Sequence, residues 1–291
     1  MKYKKLFLLT LCTLFAYAKN KEEKPQKVSP PAIGNFALPA SQRPGETFSF
    51  GQYIVGKGDL LWLQSFTYIK GECEKFLETT SRLLYGINDL TSIFLAVPVF
   101  FEQKIDGYFS NGIGDINIEF EHAYHFKSTI RHTNLATFVI NLSFPTGSAF
   151  KVPATGFGNP TFFLGTTASH LGIRWYCFGA LGGLATMERK GTKFGSQFHY
   201  HWGVGHNLGN PLGGILFADI EFIGIFSMRD KICGEIDCNS GGNIVTLGPS
   251  FWFATEYFGL LGGIQLPLEQ HLFGKQNELQ LRTYFEVSYK F

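Results

Sequence analysis

The last thirteen residues of the chain alternate without a break. Leu279, Leu281, Thr283, Phe285, Val287, Tyr289 and Phe291 fall on one parity, and Gln280, Arg282, Tyr284, Glu286, Ser288 and Lys290 on the other. A helix would spread both sets around its axis, whereas a pleated strand sends them to opposite faces. The same period returns elsewhere. Ile116, Ile118, Phe120, His122, Tyr124 and Phe126 alternate with Asn117, Glu119, Glu121, Ala123 and His125. Phe198, Tyr200, Trp202 and Val204 alternate with Gln197, His199 and His201, and Leu216, Ala218, Ile220 and Phe222 with Asp219 and Glu221, although Phe217 and Ile223 blur that last segment.

Alternation alone fits either a soluble β-sandwich or a membrane barrel, because each has one apolar and one polar face per strand. Segment length and aromatic load separate them. The segments run to about ten residues, the length that crosses a bilayer at a tilt of about 45°. Their apolar faces are rich in rings, aromatics making up 16% of the chain, as much as Asp, Glu, Lys and Arg together. A mean hydropathy of +0.04 is too low for several helical spans. Leu171 to Met187 is the one later stretch that tempts a helical reading, but Arg174, its glycines and the alternation of Ile173, Trp175 and Cys177 favour a strand.

Strands are predicted near 60–70, 75–86, 90–101, 115–126, 133–144, 159–169, 172–184, 197–207, 214–226, 243–254, 258–268 and 278–291. This gives an all-β chain, a transmembrane antiparallel up-and-down β-barrel of about twelve strands, an even number as single-chain bacterial barrels have. Short connections alternate with longer ones near 102–114, 145–158, 185–196, 227–242 and 269–277. With a periplasmic C-terminus the longer set lies outside the cell.

The N-terminal part reads differently. Lys2, Lys4 and Lys5, the apolar stretch Leu6 to Phe15 and Ala16-Tyr17-Ala18 make residues 1–18 a signal peptide. Its removal takes three of the 25 basic residues and none of the 23 acidic ones, so no nucleic-acid partner is expected. Residues 19–57 are rich in proline and charge and read as a periplasmic linker or plug segment, and residues 58–291 as the outer-membrane barrel. Glu46 to Val55 fits a periplasmic extension, a plug or the lower part of a bent first strand. The predicted location is the outer membrane of a Gram-negative bacterium, with outer-membrane lipid as the surroundings.

Gly56-Lys57-Gly58-Asp59, Gly112-Ile113-Gly114-Asp115 and Gly156-Phe157-Gly158-Asn159 each stand before a strand and not before a helix, which makes them turns and not phosphate cradles. Together with Tyr85-Gly86-Ile87-Asn88-Asp89-Leu90, Leu95-Ala96-Val97-Pro98-Val99 and Leu142-Ser143-Phe144-Pro145-Thr146-Gly147, they resemble the outer-membrane family labelled "MetA-pathway of phenol degradation". The resemblance covers roughly residues 58–291 and is densest between Tyr85 and Gly158. It implies an outer-membrane channel or transport protein that admits aromatic or other small hydrophobic compounds. Turn and strand motifs specify a fold better than a substrate.

In such a barrel the polar parity lines the lumen. The expected solute path is formed by Arg82, Glu119, Glu121, His125, His199, His201, Asp219, Glu221, Arg282, Glu286 and Lys290. Phe285, Val287, Tyr289 and Phe291 form a terminal aromatic strand that resembles the signal read by the outer-membrane assembly machinery through strand addition. His199 and His201 share a face, with His206 near in sequence, yet no carboxylate stands at ligand spacing, so neither metal nor cofactor is expected. Glu119, Glu121, Asp219 and Glu221 could pair as catalytic acids, but a polar lumen accounts for them more simply, and no enzyme is expected. The rival functions are a surface barrel binding a host or envelope partner and a barrel hydrolase. Cys233 and Cys238, in a glycine-containing outside loop of an oxidising compartment, are expected to form a disulfide.

Overall fold

The computed structural model describes residues 32–189 and 191–291. The expected signal peptide, residues 1–18, and residues 19–31 of the linker lie outside the described residues. Fifteen strands follow the N-terminal segment: β1 (Leu60–Gly71), β2 (Glu74–Asn88), β3 (Thr91–Ile105), β4 (Tyr108–Ile113), β5 (Ile116–Ser128), β6 (His132–Phe144), β7 (Thr161–Gly172), β8 (Trp175–Thr186), β9 (Gln197–Gly209), β10 (Ile215–Ser227), β11 (Lys231–Ile232), β12 (Glu235–Ile236), β13 (Gly242–Ala254), β14 (Phe258–Leu272) and β15 (Leu279–Lys290). Every neighbour pair is antiparallel, and β1 pairs with β15 from Leu61↔Lys290 to Lys70↔Leu281, which closes the sheet. Closure leaves no unpaired edge in the apolar medium, the condition a spanning sheet has to meet.

Twelve strands make the wall. β4 and β5 are one descending strand interrupted at Gly114-Asp115: β3 pairs with β5 from Thr91↔His122 to Ala96↔Asn117 and with β4 from Val99↔Ile113 to Ile105↔Tyr108. The partner side therefore carries one extra residue, a bulge, and Gly114 N–H still donates to Pro98 O at 2.9 Å. A proline, which brings no ladder N–H, is tolerated at such an irregularity. This corrects two expectations: Gly112 to Asp115 is a bulge and not a turn, and residues 102–114 form a tight hairpin and not a long loop. β11 and β12 pair only with each other, in the connection 228–241.

One end of the barrel carries the connections 89–90, 129–131, 173–174, 210–214 and 255–257, all short; the other carries 72–73, 106–107 and 273–278 and the three long ones, 145–160, 187–196 and 228–241. Phe291 N–H donates to Leu60 O at 3.0 Å, so the C-terminus lies at the short-turn, periplasmic end. The outer wall exposes Trp62, Phe66, Leu95, Phe120, Phe138, Leu164, Trp202, Ile220, Phe251 and Phe285. An apolar belt around a closed barrel is what lipid requires and water disfavours.

Candidate functional site

Polar residues do point inward, but most of them do not meet open water. Residues 32–59 enter the barrel from its periplasmic end, rise along the lumen, turn and descend into β1. At entry, Asn35 N–H donates to Ile173 O at 2.8 Å, its amide to Gly172 O at 3.1 Å, and Asn207 donates to Asn35 Oδ1 at 3.1 Å. Phe36 and Leu38 then pack among Leu171, Tyr176, Phe178, Ile215, Phe217 and Ala254. Phe217, which breaks the alternation of β10, is fully buried in that contact, so the apolar intrusion on a polar face marks where the plug rests.

Midway up, backbone donors of the plug meet two carboxylates of the wall. Thr47 and Phe48 N–H donate to Glu221 at 2.8 and 3.0 Å. Gln52 and Tyr53 N–H donate to Glu121, both at 2.7 Å. An isolated carboxylate removed from water is strongly destabilised, and two N–H donors aimed at each one replace its hydration. The chain reverses at Gly51 and Gln52, whose φ angles are +82° and +63°. A Cβ at Gly51 would sit 2.7 Å from Thr167 Cγ2 and 2.9 Å from Val139 Cγ2, so the turn lies against the wall only because it has none. On the way down, Tyr53 stacks edgewise on Phe94 at 5.5 Å and Val55 N–H reaches Ser92 Oγ at 3.0 Å.

The remaining expected lumen residues have defined tasks. Tyr176 hydroxyl donates to Glu46 at 2.7 Å, from wall to plug. Arg82 donates to Tyr284 Oη at 2.9 Å and to Glu286 at 2.7 Å, joining β2 to β15 across β1. Arg282 lies over the Phe48 ring, 5.7 Å from its centre. Lys290 binds Asp59 at 2.7 Å and Ser41 Oγ at 3.0 Å at the periplasmic mouth. Asp219 and Glu221 share the hydroxyl of Ser250. His199 and His201 pack against Phe50, and Ser49 Oγ lies 3.0 Å from His201 Nδ1. Nε2 of that imidazole has no hydrogen-bond partner among the described residues, so no carboxylate orients it as a general base.

Above the plug is a cavity of about 670 Å³. Phe50 and Tyr53 of the plug floor it; Phe76, Phe94, Phe100, Glu78, Arg82, Glu119 and Asn141 wall it; Pro153 to Phe157 and Phe194 roof it from the outside connections. Its lining is mixed, with aromatic faces and a few charged groups, the composition of a site for an amphipathic molecule.

Two expectations need correction. His125 does not face the lumen: a bulge between Ala123 and His125 pairs it with Ala136, on the outer face, and leaves it exposed. His206 is also outside, 4.4 Å from Trp175, and cannot join His199 and His201. Cys233 and Cys238 are unbonded and exposed. Cys233, at φ +52°, occupies the tip of the β11–β12 hairpin, and Cys238 lies beyond the end of β12. Glu46, Glu78, Asp115, Ser49 and Gln52 were missed by the reading of the sequence.

No protein-family profile and no curated protein matches the sequence. Among solved structures, the COG4313 outer membrane channel from Pseudomonas putida F1 superposes with a TM-score of 0.70 at 12% identity, over 85% of this chain and 99% of that one. The β-domain of the Bordetella autotransporter BrkA gives 0.44 at 9% identity, over 81% and 100%. The chain thus has the fold of an outer-membrane β-barrel, closed by twelve strands and similar to a channel.

Proposed function

We propose that the protein is an outer-membrane channel for small amphipathic solutes, whose path is closed by its own N-terminal segment. The observation that carries this reading is the plug: residues 32–59 fill the lumen through a few replaceable hydrogen bonds and leave a chamber on the outer side. A solute that enters the chamber passes inward when the turn at Gly51 withdraws from Glu121 and Glu221. The solved channel with a similar fold supports the class of function. The motif resemblance supports aromatic or hydrophobic compounds as cargo. The same reading assigns residues 1–18 to export and the strand ending at Phe291 to assembly.

The test is to tether the plug. In a background with Cys73, Cys177, Cys233 and Cys238 replaced by serine, a reducible thiol cross-link between Ser49→Cys and His201→Cys should abolish solute entry into proteoliposomes, and reduction should restore it. Equal entry before and after reduction would mean that the plug does not control the path.

A further inference from the structure

We propose that the outer chamber is a binding site for the ammonium head of an amphipathic amine, with Glu119 as the residue that selects it. The inference rests on the chamber being the entrance of the solute path and names the chemistry of what enters.

Glu119 is buried, only 6% exposed, and it lines the chamber. Its Oε2 accepts from Asn141 Nδ2 at 3.0 Å, while Oε1 has no hydrogen-bond partner among the described residues. Glu121 next along the same face is saturated by the plug, with N–H donors on both of its oxygens. The two glutamates share one environment, yet only one is satisfied. A buried carboxylate oxygen without a donor is costly, and a ligand that supplies a donor removes the cost.

The surrounding charge decides which donor. Glu78 also lines the chamber and accepts only a hydroxyl, that of Thr80, at 2.7 Å. Arg82, the one cation in the lining among the described residues, is committed to Tyr284 and Glu286. Deeper in the lumen lie four more acids, Glu46, Glu121, Asp219 and Glu221, and Arg282, the cation there, acts on Glu221 and on Glu78. A neutral hydroxyl would satisfy Oε1 but leave this excess of carboxylate uncompensated, whereas an ammonium group meets both needs. The faces of Phe50, Tyr53 and Phe94 suit the same ligand, since ring faces attract a cation and the body of an amphiphile needs apolar cover.

Three probes with one body and three heads test this: 2-phenylethylammonium, 2-phenylethanol and phenylacetate, titrated calorimetrically into the purified full-length protein. One charge-assisted hydrogen bond predicts that the ammonium binds at least about tenfold more tightly than the other two. In Glu119→Gln, which keeps size and loses charge, that preference should fall below about threefold while the alcohol binds as before. Comparable binding of the alcohol or the acid to the wild type, an undiminished preference in Glu119→Gln, or no binding of any probe would each overturn the assignment. The wild-type comparison stands even if the variant does not fold. Equal binding of all three probes, with entry still blocked by the tether, would remove the ammonium assignment alone; entry through the tethered barrel would remove the channel reading.

Discussion

Asp115 holds Phe157 by a 2.7 Å hydrogen bond from the Phe157 backbone N–H to Oδ2, across 42 residues of chain. Its other oxygen accepts from Gly147 N–H at 2.9 Å. Thr146 Oγ1 adds a bond to Gly114 O and receives Ile116 N–H, each at 2.9 Å. Glycine is required at 156, where a Cβ would lie 2.2 Å from Asp115 Oδ1. The Gly-x-Gly-Asp, Pro-Thr-Gly and Gly-Phe-Gly motifs are thus one assembly, which fixes connection 145–160 over the chamber. Asp115→Ala removes two charge-assisted bonds of about 1.5–3 kcal/mol each. Trypsin should then cut after the exposed Lys151 at least about tenfold faster, with the heat-modifiable barrel retained. Unchanged protection would show that the roof is held by other contacts.

Glu121 and Glu221 set the strength of the plug. Replacing either with Gln keeps an acceptor but removes the charge that two backbone donors share, a loss of about 1–3 kcal/mol. Since 1.4 kcal/mol is a factor of ten in an equilibrium, single-channel recordings of Glu121→Gln should show openings about ten times more frequent or longer than wild type. Glu221→Gln should act in the same direction. A polar lumen without a plug would instead yield a change of ion preference at constant open probability, and that result would count against the anchoring role.

The wall was legible because alternation is a local signal. Each strand declares its faces within about ten residues, and a closed barrel imposes the same rule on all twelve. A plug was one of three readings of Glu46 to Val55, and no local signal chose among them. Its bonds run from Gln52 to Glu121, 69 residues on, and from Thr47 to Glu221, 174 residues on. Its turn depends on positive φ at Gly51 and Gln52 and has no period to read. The one hint was on the wall: Phe217 and Ile223 interrupt the polar parity of β10, and an apolar residue facing a lumen needs something apolar to cover it. His125 was misplaced because a bulge at Tyr124 shifts register by one, and only pairing with Thr137 and Ala136 on β6 reveals it.

That bulge has a measurable signature. Phe120 is on the outer face above it, so Phe120→Lys places a charge against lipid and should cost about 2–4 kcal/mol of barrel stability at the midplane. His125 is also outside, below the bulge. His125→Leu should therefore leave urea unfolding of the reconstituted barrel unchanged or slightly more stable. A lumen position would respond with altered conductance and no gain. Marked destabilisation by His125→Leu would put that side chain back inside and remove the bulge from the register.

Phe291 lies at the periplasmic end of the wall. Its N–H makes one backbone bond to Leu60 O at 3.0 Å, its ring lies 5.2 Å from Tyr289, and the side chain is largely exposed. The ladder of eleven residue pairs between β1 and β15 ends before it, at Leu61↔Lys290. Deleting Phe291 therefore removes one hydrogen bond, about 0.5–1.5 kcal/mol, from a barrel closed by many. Purified and refolded protein lacking it should melt within a few degrees of wild type. If the terminal ring is instead what the assembly machinery grips during strand addition, the yield of heat-modifiable barrel in the outer membrane of cells should drop severalfold. The two measurements separate the roles: a large fall in melting temperature would make Phe291 a structural clasp, and an unchanged cellular yield would leave it without a part in assembly.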